Sequence, residues 1–450
     1  MKYQSGRSRF VFYSGTVFLS LLATSCGPAS KFYALIDSQF SGGKGSPAYD
    51  IVRKNKGSYS RKEKLLYLLD LGITAHYTGK WKLSNKHLQE AKDLGERLHT
   101  KSFSLAGLSF MLNDYVLPYR GEDFERALIH LFMALNYIKL NQLSDALVEA
   151  RQLDSRLRVL NDHYPKGKKN IYREDAFIRF VAGLFYEMDG KMEDAYIEYM
   201  KALEIFNSDY RNNYGTTAPD FLIENLMTAA DGAQFTDRLE RLRKQYPRAK
   251  FRTYGQKRQM AEIVTIHYSG RSPEKVKSSF GAQVAPGVAM EISIPQYQAL
   301  PRLREGARVA LVETQKGLKS ITTTEVMENI EMIAMRNLDN RVLRMQAKAI
   351  AQVTAKYLII QDQAKRIREK YGDNAAYLFL TSSVIITNLI SQPDLRSCRL
   401  LPAEIRVSRQ LVQPGNYQIM VTPQGESMRK LKTIDLKSSQ KEFIILRSVK

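Results

Sequence analysis

The amino-acid sequence predicts an α+β protein, in which an N-terminal α-helical repeat array is followed by a β-sandwich-like domain with an inserted helical segment. Two observations support this prediction. Three gapless segments in the first half place small residues at the same relative positions, which is typical of stacked helix pairs. After Gln256 the helical period gives way to short alternating or β-branched runs bounded by glycine and proline, which indicates strands.

The N-terminus has the layout of a secretory signal. Lys2, Arg7 and Arg9 form a basic start. The uncharged run at 10–25 that follows is shorter than the roughly 20 residues that a membrane-spanning helix needs. The run ends in the small residues of "ATSC", so we expect processing close to Cys26.

The stretch "ATSC" resembles the lipobox of bacterial lipoproteins, although Ala23 stands where that family usually has an aliphatic residue. The resemblance implies that residues 1–25 are removed and that Cys26 carries palmitate-type acyl chains, which anchor the protein in a membrane. Gly27 and Pro28 follow without an aspartate, which in Gram-negative lipoproteins implies the outer membrane. A plain signal peptide cut near "ATS" and an uncleaved anchor are the alternatives.

The chain is strongly basic. It has 68 Lys and Arg against 46 Asp and Glu, a net charge of +22, or 22 − 3 = +19 without the three basic residues of the first 25. Such an excess often indicates nucleic-acid binding, but we expect none for an exported protein. An anionic envelope polymer is an alternative partner, and solvated lysines would explain the charge as well. Once Cys26 is acylated, only Cys398 is left, which excludes an intrachain disulfide.

Shifts in composition divide the chain into four parts. We predict a lipoprotein signal peptide at 1–25, a lipidated tether with a first helix at 26–60, and a repeat domain at 61–250. The β-sandwich-like domain should span 256–450 and contain a helical insertion at 325–392.

The repeat segments begin at residues 65, 127 and 176. Their matching small residues would let two paired helices approach closely; these residues are Gly72, Ser84, Ala91, Ala134, Ala146, Gly183, Ala195 and Ala202.

This pattern resembles the tetratricopeptide repeat, which implies antiparallel helix pairs stacked side by side. Gly79, Asn141 and Gly190 fall where the first helix of each pair should end and turn. A degenerate fourth pair is expected at 220–247. The segments lie further apart than the family's period of about 34 residues, so insertions such as 99–125 should add helices of their own.

The β-rich domain is predicted from three runs between 262 and 314 and four between 403 and 449. We expect the early strands to join the late ones in an antiparallel sandwich, with the helices inserted between them. Within the insertion, the uncharged stretch 374–393 contains Asn, Thr and Ser and lacks a basic flank. It should therefore form a helix buried between other helices rather than a membrane segment.

The whole layout resembles that of an uncharacterised family of bacterial envelope lipoproteins. The segments that carry this resemblance are "YRGEDFERALIHLFMALNYI", "REDAFIRFVAGLFYE" and "DLRSCRLLPAEIRVSR" followed by "PGNYQI". The resemblance implies repeat-like helices and a C-terminal β-rich domain, and no activity is established for the family.

Motifs for catalysis or metal binding are not found. The six histidines form no H-E-x-x-H motif, no cysteine pair accompanies them, and no serine lies in G-x-S-x-G. Cys398 beside Arg399 is the one nucleophile that the sequence offers. We therefore expect a protein that is not an enzyme and that has no cofactor and no metal.

A binding face follows from the resemblance to the tetratricopeptide repeat, in which the first helix of each pair lines a concave surface. The residues carried over to this face are Leu66, Leu69, Ile73, Tyr77, Leu128, Leu131, Leu135, Ile138, Phe177, Phe180, Leu184 and Met188. Because they are apolar, they predict a groove for an apolar helix or peptide of a partner. The alternative is that inserted helices of the same chain fill it.

Together these inferences predict an outer-membrane lipoprotein that faces the periplasm and acts as a non-enzymatic protein-interaction scaffold in an envelope complex. The alternative is a binder of peptidoglycan or another anionic envelope polymer through the basic C-terminal half.

Overall fold

A computed structural model describes residues 30–40, 47–104, 115, 117–162, 171–285, 288–314, 317–390, 392–423 and 425–449. The predicted signal peptide and Cys26 lie outside these residues.

The first half of the described chain is helical. Its helices are α1 (Ser30–Phe40), α2 (Ala48–Lys54), α3 (Lys64–Tyr77), α4 (Trp81–Ser104), α5 (Asp123–Lys139), α6 (Leu143–Asp162), α7 (Ala176–Met188), α8 (Met192–Ile205), α9 (Asp220–Gly232), α10 (Thr236–Gln245) and α11 (Tyr254–Arg258). Short 3₁₀ turns at Lys56–Ser58 and Arg61–Glu63 precede α3, and a π-helical segment at Phe206–Tyr214 follows α8.

Helices α3 to α10 form four consecutive pairs, which we call the repeat stack, and each pair contacts the next. The turn inside every pair holds one residue in the left-handed conformation, at Gly79, Asn141, Gly190 and Gln234. In each turn, the backbone N–H of the residue after the left-handed one donates to the carbonyl five residues earlier in the chain. This hydrogen bond is typical of helix C-termini. These bonds run from Lys80 to Ala75, Gln142 to Tyr137, Lys191 to Tyr186 and Phe235 to Ala230, at 2.8–2.9 Å.

The three predicted turns are thus confirmed, and the fourth pair has the same turn as the others. The sequence signal for this fourth pair is weak because Gln234, rather than a glycine, occupies the left-handed position.

The eight small residues of the repeat pattern are all buried. A β-carbon on Gly183 would lie 2.3 Å from the ring of Tyr199, and one on Gly72 would lie 2.5 Å from Leu88. Each glycine therefore makes room for the large side chain sixteen positions later in the partner helix. The pair α5/α6 has alanine at both of the corresponding positions.

Within the predicted tether and first helix at 26–60, the described residues form two helices, α1 and α2, and both pack onto the body. Tyr33, Ile36 and Phe40 in α1 are buried, and the Tyr33 hydroxyl donates to Asp70 of α3 at 2.9 Å. The apolar face of α1 thus belongs to the main core, and the chain is held against the body from Ser30 onward.

The second half is mainly β-structure. Its strands are β1 (Ala261–Ser269), β2 (Glu274–Ala285), β3 (Val288–Gln298), β4 (Arg308–Glu313), β5 (Gly317–Thr323), β6 (Glu325–Glu328), β7 (Glu404–Val412), β8 (Gly415–Thr422), β9 (Arg429–Leu436) and β10 (Lys441–Ser448). The central sheet has the order β10-β1-β7-β6, the outer sheet has the order β5-β4-β8-β9, and β2 and β3 form a separate hairpin.

The central sheet lies between two layers. Every residue of β1 is buried, and its side chains alternate between them. Val264, Ile266 and Tyr268 share a core with the repeat stack, whereas Ala261 and Ile263 share one with the outer sheet.

Early strands do pair with late ones, as predicted, since β1 lies beside β7 and β10, and β4 beside β8. The expected purely antiparallel arrangement is wrong, because β1 and β10 run parallel. Such a pair needs a long crossover connection, and nearly the whole C-terminal half supplies it.

The predicted insertion begins with β6, which belongs to the central sheet, and continues as α12 (Ile330–Asp339), α13 (Val342–Tyr371) and α14 (Asp373–Ile390). Helices α13 and α14 pack against each other, and α13 also contacts β2 and β3. We call α13 and α14 the arm.

The expectation that 374–393 forms a buried helix is wrong for 374–383, where the structure describes the side chains. Tyr377 and Leu378 of α14 are 70% and 69% exposed, although the helix packs against α13. Among the described residues, no helix has both the length and the apolar character needed to cross a membrane.

Replacing Gly183 by alanine tests the close helix contact. Helix propensity alone favours alanine by roughly 1 kcal/mol, but the new methyl group would collide with the buried ring of Tyr199. We expect a net loss of about 1–3 kcal/mol in the free energy of unfolding, measured by chemical denaturation. Gly255→Ala is the matched control, because that helical glycine has no atom near its β-carbon position. Equal stability changes in the two variants would contradict the packing described.

Candidate functional site

The predicted concave face is closed by the chain itself. Ten of its twelve residues are at most 8% exposed, Tyr77 is partly buried, and only Met188 is appreciably exposed, at 38%. Helix α3 contacts β10, α5 contacts α12, and α7 contacts β6. The assignment of these residues to an open groove is therefore corrected: strands and α12 of the C-terminal half cover the surface.

Aromatic side chains fill the space between the repeat stack and the central sheet. The ring of Tyr268 in β1 stacks on Phe132 at 5.4 Å and meets His76 edge-on at 5.3 Å. Tyr77 donates a hydrogen bond to the carbonyl of Leu400 at 3.2 Å. Phe443 of β10 contacts Phe185 of α7 at 6.1 Å between ring centres.

Charged side chains surround this aromatic contact. Glu187 at the end of α7 accepts hydrogen bonds from Lys257 at 2.8 Å and from Lys441 of β10 at 2.6 Å. Glu262 of β1 pairs with Lys441 and with Arg409 of β7. We call these five residues the buried ion cluster, since each side chain is at most 9% exposed.

The balance of charge inside the cluster determines how its groups titrate. Burial lowers the pKa of Lys257 to about 7, with neighbouring Arg409 acting in the same direction. The two carboxyl groups keep lowered pKa values because the cations beside them outweigh the cost of burial. The cluster therefore joins the two halves of the chain through fixed ion pairs.

A second polar contact joins α1, α3 and the loop before β7. Asp70 is fully buried and accepts hydrogen bonds from the hydroxyls of Tyr33 at 2.9 Å and Tyr59 at 2.7 Å. The thiol of Cys398 lies 3.7 Å from the same carboxyl group. Burial raises the pKa of Asp70 to about 7, since the hydrogen bonds offset only part of the cost of desolvation.

The groups considered for chemistry are buried in structural contacts. Burial raises the pKa of the Cys398 thiol well above its ordinary value, so this group stays protonated. Burial also lowers the pKa of His76 to about 4 and that of His267 to about 3. Within the described ranges, no group of three or more His, Cys, Asp or Glu is placed to hold a metal ion.

Exposed apolar side chains are found on the arm. Leu358 and Ile359 of α13 are 59% and 50% exposed, and Tyr377 and Leu378 of α14 are still more exposed. Helix α13 carries seven basic residues against two acidic ones. The sequence contains both signals, but its local pattern does not distinguish an exposed apolar stretch in α14 from a buried one.

No protein-family model matches the chain, and no curated protein matches it. Among solved structures, the chain is similar to BtubC (BKLC) from P. vanneervenii at 16% identity, covering 54% of this chain and 84% of that one with a TM-score of 0.33. It is also similar to MamA at 14% identity, covering 50% of this chain and 96% of that one with a TM-score of 0.28. The similarity to the Rap protein complexed with competence and sporulation factor is at 11% identity, covering 84% of this chain and 80% of that one with a TM-score of 0.31. These likenesses are distant, and the repeat architecture rests on the four equivalent turns.

The raised pKa of Asp70 predicts a pH-dependent stability. Between pH 4 and 7 the folded protein keeps a proton that the unfolded chain has released, so the free energy of unfolding falls as pH rises through this window. We expect this contribution to be on the order of 2–4 kcal/mol. Denaturation of the wild type and Asp70→Asn at several pH values measures it. The variant should gain stability relative to the wild type as pH rises, and a constant difference would refute the assignment.

The buried ion cluster predicts a large effect for Lys441→Met. Removing this cation leaves Glu187 and Glu262 with fewer partners in a buried site, so the free energy of unfolding should fall by about 3–5 kcal/mol. Lys191→Met is the control, because Lys191 forms its ion pair with Asp189 while 54% exposed. A loss below about 1 kcal/mol for Lys441→Met would mean that the cluster does not join the two halves.

Proposed function

We propose that this protein is a lipoprotein of the outer membrane, anchored through acyl chains on Cys26 and facing the periplasm, where it acts as a non-enzymatic scaffold that binds another envelope protein. The anchor rests on the basic start, the short apolar run and the small residues before Cys26. The observation that carries the scaffold proposal is the arm, in which two packed helices present several large apolar side chains to solvent.

The body would lie close to the bilayer under this proposal. Only three residues separate Cys26 from Ser30, and α1 is packed into the main core from that point. Four residue steps span at most about 14 Å. The protein would therefore sit on the membrane with the surface around Ser30 nearest to it, rather than at the end of a long tether.

The arm is the proposed binding surface because the concave face is occupied. Its exposed apolar side chains lie on two packed helices, and the charged residues of α13 are mainly basic. The partner that complements this surface is an envelope protein with an apolar helix flanked by acidic side chains. The apolar stripe of the partner's helix would provide affinity, and its acidic flanks would fix the orientation of that helix on the arm.

The alternative, binding of peptidoglycan or another anionic polymer, makes a different prediction about the arm. Polymer binding would rest on lysines and arginines alone and would be lost at high salt. It would tolerate replacement of the exposed apolar side chains.

The anchor is tested by replacing Cys26 with serine. We expect the wild type to fractionate with outer membranes and to carry added acyl mass at its N-terminus. Cys26→Ser should appear in the soluble periplasmic fraction at the mass of the bare chain. Unchanged fractionation and mass would rule out the proposed anchor.

The binding surface is tested by photo-crosslinking in intact cells, with the crosslinker placed at Leu358 or Leu378. Both positions should give the same adduct with one envelope protein, and Ile359→Asp should abolish it while thermal stability stays unchanged. Leu318 is the control position, because it is 64% exposed but lies on β5, outside the arm. Adducts that are equally strong from Leu318, or that persist in Ile359→Asp, would count against the arm as the binding surface.

A further inference from the structure

A cleft lies where the repeat stack, the β2–β3 hairpin and the arm meet, and we call it the junction cleft. Its volume is about 320 Å³, which is within the range of small-ligand sites. The beginning of α5 forms one wall, β3 forms a second, and α13 forms a third. Three separate parts of the chain thus enclose one space.

The charged side chains that line the junction cleft are mainly basic. Its described lining contains six basic side chains and three acidic ones: Arg120, Arg126, Lys275, Arg341, Lys348 and Lys356 against Glu122, Asp123 and Asp394. A partly enclosed cleft lined mainly by one sign of charge concentrates ions of the opposite sign.

Fixed ion pairs hold the base of the cleft in shape. Glu122 at the start of α5 accepts a hydrogen bond from Arg341 at 2.7 Å and another from Lys275. Lys275 also donates to the carbonyl of Arg396 at 3.1 Å, and its side chain is only 4% exposed. The two neighbouring cations hold the pKa of Glu122 far below its usual range, although burial opposes them. One carboxylate therefore organises two cations at the base.

Apolar side chains also line the cleft. They are Ile292 and Ile294 of β3, Leu338 of α12, and Met345 and Val353 of α13. Ile292 and Val353 belong to a small core between the hairpin and the arm. A ligand that fits this space needs a charged head and a short apolar tail.

We propose that the junction cleft binds a small amphipathic anion, in which a phosphate or carboxylate group meets the basic side chains and a short alkyl portion lies against the apolar ones. The anionic head group would contact Lys348 and Lys356 of α13 as well as the cations at the base. This inference depends neither on the lipid anchor nor on the partner of the arm. Since α13 forms one wall, an occupied cleft would also brace the arm against the repeat stack.

Binding is tested by isothermal titration of the full mature chain with three probes: hexyl phosphate, hexanoate and inorganic phosphate. We expect saturable binding of an alkyl anion with a dissociation constant of about 1 mM or tighter. Hexyl phosphate should bind more tightly than inorganic phosphate because of its tail, and raised salt should weaken binding. The comparison of hexyl phosphate with hexanoate distinguishes phosphate from carboxylate as the preferred head group.

Variants locate the site. Lys348→Gln combined with Lys356→Gln should weaken binding at least about tenfold, which corresponds to the loss of charged contacts to the head group. Lys365→Gln is the matched control, since Lys365 lies on the same helix, is exposed, and does not line the cleft. Circular dichroism checks that the variants are folded. The proposal is overturned by an absence of saturable binding of both alkyl probes to the wild type, or by equal affinities of the double variant and the control.

Discussion

Strand β1 is buried on both faces, and this double burial holds the protein together. On one face Tyr268 stacks with Phe132 of the repeat stack, and on the other Ala261 and Ile263 pack against the outer sheet. A helix pair of a repeat array cannot bury its apolar inner surface alone. In this protein the central sheet covers that surface, so the helices and the sheet form one core rather than two domains joined by a linker.

This arrangement explains why the concave face is closed and why the arm differs from the rest of the protein. The inner helices α3, α5 and α7 are used to hold the C-terminal half, with Glu187 and Lys441 fixing its position through the buried ion cluster. The arm contacts the body mainly through α13 and the β2–β3 hairpin. It therefore combines a fixed base with exposed apolar side chains, while the junction cleft lies at that base.

Much of the fold could be predicted from the sequence because its signals are local. Glycine or asparagine at the turns, small residues opposite large ones, and alternating runs in the last four strands each act over a few residues. Strand pairs that are far apart in the sequence are harder to predict. The parallel contact of β1 with β10 joins residues about 180 positions apart, and strand β2 is rich in Lys and Ser, so its pattern resembles a loop. The concave residues were recognised as one surface, but nothing in their local pattern tells whether a partner or the chain's own sheet covers them.

The central claim is that the repeat stack and the central sheet unfold together because they share one core. Hydrogen exchange of the full chain, followed by mass spectrometry at increasing denaturant, tests it most directly. The account predicts that amides of α7 and of β1 lose protection at the same denaturant concentration. Protection that persists in α7 after β1 has exchanged would show that the helices are stable alone, and would contradict the shared core.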